Sequence, residues 1–272
     1  MKDLLESVHR NLWKIKVFAQ ESIRRYKYRK KIEEGLKYQG MHNNEKYCFI
    51  IGNGPSLRKE DLEKLQNNNV VTFAANRIYK IFNETDWRPT YYSVCDTSLY
   101  RKSKTEIDSV QSVKFIPLDI YDRYVESKDD YLVFSRVPFT FFKRPRFSNR
   151  LDRRFGEGGT ITYHLMQLAV SMGFKELYLI GVDFSFSYGI GPDGKYFEDK
   201  SIKQNHHKND TAPIDTMPNL QINLQAYEAA KRFACKNGIK IYNATRGGKL
   251  EVYERRGFES LFNKNSRCIL ED

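Results

Sequence analysis

The chain has 272 residues, 40% of them hydrophobic, and a formal net charge of +12. That is enough to bury one large domain with a small appendage, and it argues against a multi-domain machine. No apolar run nears the roughly 18 residues that span a bilayer. The charged N-terminus is unlike a secretory signal, so an intracellular, cytoplasmic setting is expected. The four cysteines, Cys48, Cys95, Cys235 and Cys268, lack CxxC spacing. They read as reduced core thiols, and no structural metal is expected.

Residues 1–40 carry eleven Lys or Arg against five acids, half of the net positive excess in a short stretch. Leu5, Val8, Leu12, Ile15 and Phe18 follow helical spacing ahead of the basic cluster from Arg24 to Lys31, which predicts a basic amphipathic helix. Two roles suit it equally. It can lie on an anionic membrane through residues 1–31, at the inner membrane face, or dock on its own domain or a second copy of the chain in a homo-oligomer. Nucleic acid is not an expected partner, because no recognition motif accompanies the basic residues.

Residues 46–262 alternate strand and helix patterns, and 263–272 read as a tail. Tyr47–Ile51 is a first strand ending in Gly52-Asn53-Gly54-Pro55-Ser56. Two glycines permit a sharp turn and close approach to a ligand. Ser56 is expected to cap the next helix, whose free N–H groups would face a phosphate. The loop lacks the Lys and spacing of a P-loop and the third glycine of a dinucleotide fingerprint. A helix around 61–66, strands at Val70–Ala75, Tyr91–Cys95 and Val113–Pro117, and an irregular lid or insertion over 121–155 follow.

The second half repeats this logic. Gly156–Thr160 leads into a helix, capped by Thr160 or Thr162, that ends at Gly173. Glu176–Phe184 is a buried strand carrying Asp183 near its end, 185–219 is a second insert, Leu220–Lys236 is a helix stopped by Gly238, and Ile239–Asn243 is a short strand. The pattern predicts an α/β fold with a mostly parallel, Rossmann-like sheet flanked by helices. In such sheets ligands bind at the carboxyl ends of strands, so Asn53, Asn76 and Asp96 should converge on one crevice. A proton acceptor working near neutral pH is best sought among histidines. His206 and His207 alone lie in the long polar loop after Asp183, with His206 preferred. Arg246 and Lys249, on a glycine-bearing loop, suit a diphosphate or acidic sugar, or a solvated loop tip.

Gly52–Leu57, Asn76 and Gly173–Phe184 together resemble the bacterial lipooligosaccharide sialyltransferases. They equally resemble the wider set related to motility-associated flagellin glycosyltransferases and to an archaeal 6-hydroxymethylpterin pyrophosphokinase. The resemblance spans roughly 46–262. It implies a GT-A-like variant of the Rossmann sheet and metal-independent transfer of a sialic-acid-like sugar from a CMP-linked donor to a hydroxyl of a cell-surface glycan or lipid-linked acceptor, as in polysaccharide or lipopolysaccharide biosynthesis. No cofactor is expected beyond that donor substrate. By the same resemblance Gly52, Asn53, Gly54, Pro55, Ser56, Asn76, Gly159 and Thr160 would hold donor or nucleotide, and Asp183 would contact the nucleotide or brace the loop. Tyr188 would steady the leaving phosphate, and a catalytic histidine would come from the 200–219 loop. Asp96 stands where the sialyltransferases carry Asn, and a carboxylate there repels an anionic sugar unless paired or protonated. The alternatives are a pterin pyrophosphokinase using ATP and Mg²⁺, and a non-catalytic nucleotide-binding protein.

Overall fold

The computed structural model describes residues 2–125, 130–138, 144–202, 205–207 and 217–262. The expected tail, 263–272 with Cys268, therefore lies outside the described residues, as do parts of both inserts.

The chain opens with α1 (Lys2–Lys27) and α2 (Arg29–Leu36), which break at Tyr28. There follow β1 (Tyr47–Ile51), α3 (Lys59–Asn67), β2 (Thr72–Ala75), a 3-10 turn over Asn76–Ile81, β3 (Tyr91–Ser93), α4 (Thr97–Lys102), α5 (Lys104–Ser109) and β4 (Val113–Pro117). Next come α6 (Leu118–Tyr124), β5 (Tyr131–Phe134), β6 (Arg136–Val137), β7 (Phe155–Gly156), α7 (Ile161–Ser171) and β8 (Glu176–Ile180). The hairpin strands β9 (Tyr188–Ile190) and β10 (Tyr196–Glu198), then α8 (Leu220–Lys236), β11 (Lys240–Asn243) and β12 (Glu254–Arg255), complete it, with a 3-10 turn over Glu259–Phe262.

Eight strands form one parallel sheet in the order β12-β11-β8-β1-β2-β3-β4-β5. Both faces are covered, as an all-parallel sheet requires. Side chains alternate across β1: Cys48 and Ile50 join one core with α7 and α8, while Phe49 and Ile51 join the other with α3 to α6. The chain winds outward from β1 to β5, then returns to lay β8 against the other edge of β1. That reversal is the topological switch point, where open α/β sheets bind ligands.

Two expectations change. The 121–155 stretch is not wholly an insert, because its Tyr131–Phe134 pairs with β4 and closes the sheet edge. Cys235 is not a core thiol; it is exposed, on the outer side of α8. Of the roles open to the N-terminal helix, the structure shows docking on its own domain, through a charged side. Arg24 and Lys27 bond to Asp122 of α6 at 3.2 and 2.8 Å, and Arg25 reaches Ser135 Oγ and the Asp152 carbonyl at 2.9 and 2.8 Å.

All but the first residue of α7 are buried, and His164 sits among them with neither ring nitrogen bonded to a partner. Burial holds its pKa down at about 3, with the Arg136 cation adding to the effect. The unfolded chain then binds a proton that the folded chain refuses between about pH 6.5 and that value, so this residue lowers stability as pH falls through the window. His164→Leu is expected to flatten the acid side of the stability curve and to raise stability at neutral pH by about 1 kcal/mol or more, since an unsatisfied buried polar group is removed. Urea melts of both proteins at pH 7 and pH 5 check this; an unchanged pH slope would refute it.

Candidate active site

Gly52 and Gly54 carry the chain across the end of β8. Their N–H groups donate to the carbonyls of Ile180 and Gly181, both at 2.8 Å. A Cβ on Gly52 would fall on the Gly181 carbonyl oxygen, and one on Gly54 on the Asp183 carboxylate. The glycines are thus demanded by the chain's own close approach at the switch point, a reason the sequence reading had assigned to a ligand. Ser56 also acts otherwise than expected. Arg58 occupies the N-cap of α3 with no side-chain cap, and Ser56 Oγ donates to Asp183 Oδ2 at 2.8 Å. Burial pushes the Asp183 carboxyl up in pKa, and this hydrogen bond partly offsets the push.

Asn53 and Asn76 sit side by side. Asn53 Nδ2 donates to the Ala75 carbonyl at 3.0 Å, and the Asn76 carbonyl accepts from Tyr92 Oη at 2.6 Å. Asn76 has φ +53, a left-handed conformation that asparagine tolerates better than most residues and that clusters at functional sites. The amide oxygen of each has no donor within the protein. Asp96 caps α4, its Oδ1 accepting the Leu99 N–H at 2.9 Å.

Gly159 (φ +68) turns the chain into α7, with Thr160 at the N-cap but making no side-chain cap bond. The side-chain amide of Asn223 in α8 lies 3.1 Å from the carbonyls of Gly158 and Gly159, where its NH₂, once the amide is turned over, donates to both. The first turn of α7 therefore presents free N–H groups to the cavity, a setting that favours anions.

The histidine segment is pinned from both sides. Asn205 Oδ1 accepts the Ser187 N–H at 2.6 Å and its Nδ2 donates to Ser187 Oγ at 2.9 Å, while the His207 N–H donates to the Asn53 carbonyl at 2.7 Å. His206 is thereby set over the glycine loop. It faces a cavity of about 280 Å³ together with Gly52, Asn53, Gly54, Asn76, Asp96, Gly159, Thr160 and Asp183. That volume lies near the lower end for small-molecule sites.

The structure places the other candidates elsewhere. Pro55 and His207 line a separate hollow of about 220 Å³ beside the start of α3. Tyr188 lies in the β9–β10 hairpin outside the cavity lining. The Arg246 guanidinium bonds to both oxygens of buried Asp61 and to Glu259, and Lys249 lies 3.6 Å from Asp199. Sequence reasoning omitted Arg77, Asn205, Asn223 and Tyr227 from the site, all of which line the cavity. Arg77 was legible as the residue after Asn76 at the end of a strand. Asn223 and Tyr227 were not, since nothing in an amphipathic helix marks which of its inward residues meet a loop 60 positions earlier.

Two acids, Asp96 and Asp183, line the cavity. Among the described residues no three His, Cys, Asp or Glu are grouped so as to hold a metal ion, and no helix is long and apolar enough to cross a membrane.

The family profile described as 6-hydroxymethylpterin diphosphokinase MptE-like matches residues 21–189. No curated protein matches the chain. The fold is similar to that of the MAf glycosyltransferase from Magnetospirillum magneticum AMB-1, with a TM-score of 0.52 at 16% identity over 85% of this chain. The likeness spans only 39% of that larger chain. The sialyltransferase CstII from Campylobacter jejuni, solved with the substrate analogue cytidine-5'-monophosphate, matches at a TM-score of 0.42 and 17% identity, over 78% of this chain and 84% of that one.

Proposed function

The chain belongs to the MptE-like family, and from that premise we propose that it transfers a sugar from a nucleotide-activated donor to a hydroxyl acceptor in the cavity at the β1–β8 switch point. The observation that carries this reading is the meeting, in one cavity, of a helix N-terminus, two amide oxygens lacking protein donors, and one imidazole. The first turn of α7 would take the donor phosphate. Asn53 and Asn76 would accept hydrogen bonds from ribose or sugar hydroxyls, which are donors as well as acceptors. His206 would act as general base.

In the step itself the acceptor oxygen bonds to the anomeric carbon as the bond from that carbon to the phosphate oxygen breaks. The nucleotide leaves with the electron pair and is held at α7, and the acceptor proton passes to His206. Within this reading the donor we favour is a CMP-linked acid sugar, on the likeness of Gly52–Leu57 and Gly173–Phe184 to the sialyltransferase motifs. Asp96 opposes an anionic sugar, and Arg77, on the same cavity wall, offsets it. The acceptor would be a cell-surface glycan or lipid-linked saccharide met on the cytoplasmic side. No metal is needed for this chemistry, and both cavity acids already accept hydrogen bonds from the protein.

The family's description favours one other reading, diphosphate transfer to a pterin, which requires ATP and Mg²⁺ held by carboxylates. Thermal melting with CMP, UDP, GDP and ATP, each in EDTA and in Mg²⁺, separates the two. CMP in EDTA at about 100 times its Kd is expected to stabilise by about 2.7 kcal/mol, a rise in Tm of roughly 5–10 °C for a chain of this size. A shift with ATP and Mg²⁺ alone would replace the first reading by the second, and no shift with any nucleotide would remove both.

A further inference from the structure

The side of α1 that faces away from the domain is apolar. At about 3.6 residues per turn, Val8, Leu12, Ile15, Ala19, Ile23 and Tyr26 fall in one stripe roughly 80° wide. The large members are open to solvent: Leu12 57%, Ile15 66%, Ile23 67% and Tyr26 74% exposed. The opposite side, with Glu21, Arg24 and Arg25, is the one held to the domain by Asp122, Ser135 and the Asp152 carbonyl. Arg154 fastens the helix further up, its guanidinium stacking on Phe18 and bonding Ser22 Oγ at 2.9 Å. An amphipathic helix normally buries its apolar stripe against its own core. Here the orientation is inverted, and the charged contacts fix it.

The charges beside the stripe identify what covers it. Lys16 is exposed on one flank, with Arg29 and Lys30 at its end, and the one acid between residues 7 and 30, Glu21, is buried in the docked side. A second copy of the helix would bring these cations against their like. An anionic surface would pair with them while the stripe enters the apolar layer beneath the headgroups. We infer that α1 is an interfacial anchor that lays its Val8–Tyr26 stripe on a bilayer containing anionic phospholipid, over a length of about 27 Å. Because the helix is already fastened by its polar side, binding requires no release of core residues. The inference does not depend on the proposed transfer, and its test involves no turnover.

The full chain is sedimented with vesicles of equal parts phosphatidylglycerol and phosphatidylcholine, and with phosphatidylcholine alone. Binding is expected to the anionic vesicles and to weaken with salt. Leu12→Ser with Ile15→Ser is expected to reduce partitioning about tenfold or more, as loss of two large aliphatic side chains implies. Lys16→Gln with Lys30→Gln should reduce it about fivefold for each cation. All four side chains are solvent-exposed, so the thermal midpoint should not move. Equal binding to both vesicle types, binding to neither, or a dimer by light scattering that the serine pair converts to monomer would each overturn the inference.

Discussion

His206→Ala is expected to reduce turnover by about 10²- to 10⁴-fold, the usual worth of a positioned general base, while leaving nucleotide binding intact. The expectation rests on how the imidazole is held. Asn205 fastens the segment to Ser187, and the backbone of the next residue fastens it to Asn53. The segment that carries the side chain is thus held at the cavity that the glycine loop and the α7 N-terminus also line, and removing the imidazole subtracts proton transfer without disturbing the phosphate cradle. The measurement is transfer with the donor whose nucleotide gives the largest thermal shift, followed across pH. The wild type should lose rate at acid pH as its base is protonated, and the variant should lose that limb. His207→Ala should leave turnover largely unchanged, because His207 lines the separate hollow with Pro55 and its backbone N–H bond to the Asn53 carbonyl survives the substitution. If His207→Ala abolishes turnover and His206→Ala does not, the assignment of the base is wrong.

Arg136→Met is expected to cost about 3 kcal/mol of stability, the lower end of the toll of stranding a buried charge by deleting its partner, because Asp119 and Glu157 keep 19% and 22% of their side-chain surface exposed. Arg136 Nε and Nη2 bond Asp119 at 2.9 Å, and Nη1 lies 3.1 Å from Glu157 and 3.0 Å from the Cys95 carbonyl. One guanidinium therefore ties β6 to α6, to the end of β3 and to the approach to α7. Burial pushes the pKa of Asp119 up, but Arg136 outweighs it and brings the group below its ordinary value. Burial also raises Glu157, with Arg136 opposing the rise. Without Arg136 both carboxyls are raised above their unfolded values. Their contribution to stability is then lost as pH increases through the folded pKa, so the deficit should be largest at neutral pH and shrink toward pH 5. Chemical denaturation at both pH values tests this, and a deficit independent of pH would show that lost packing, not charge, sets the cost. Because Glu157 leads directly into Gly158 and Gly159, the same variant should also weaken nucleotide binding.

Much of this architecture is written locally. Leu220–Lys236 was legible from its pattern and from Gly238, which follows it at φ +65, and the structure adds a cap in Asn219, whose Oδ1 accepts the Ile222 N–H. The strands β1, β4 and β8 announce themselves as apolar runs bounded by turn residues. β5 did not, being four residues long inside a stretch dense in arginine and aromatics. Its identity as a strand comes from pairing with β4, not from its own pattern. At the site, strand ends located Asn53, Asn76, Asp96 and Asp183 on one cavity. The misreadings share a cause: a distant residue took the group first. Asp183 took the Ser56 hydroxyl, the end of β8 made the glycines necessary, and Asp61 with Glu259 took Arg246. None of those pairings leaves a mark in the neighbouring sequence.

The strand order has a further consequence for the order in which the chain can assemble. β1 is bonded on one edge to β2, which begins at Thr72, and on the other to β8, which begins at Glu176. During synthesis, the half-sheet from β1 to β5 is complete long before β8 exists, and one flank of β1 carries unpaired N–H and C=O groups throughout that interval. Such an edge invites pairing with other chains. The same delay means that the cavity has no second wall until Gly181 and Asp183 arrive and no histidine until residue 206. Nascent chains halted before that point would hold half a fold, a sticky margin and no site.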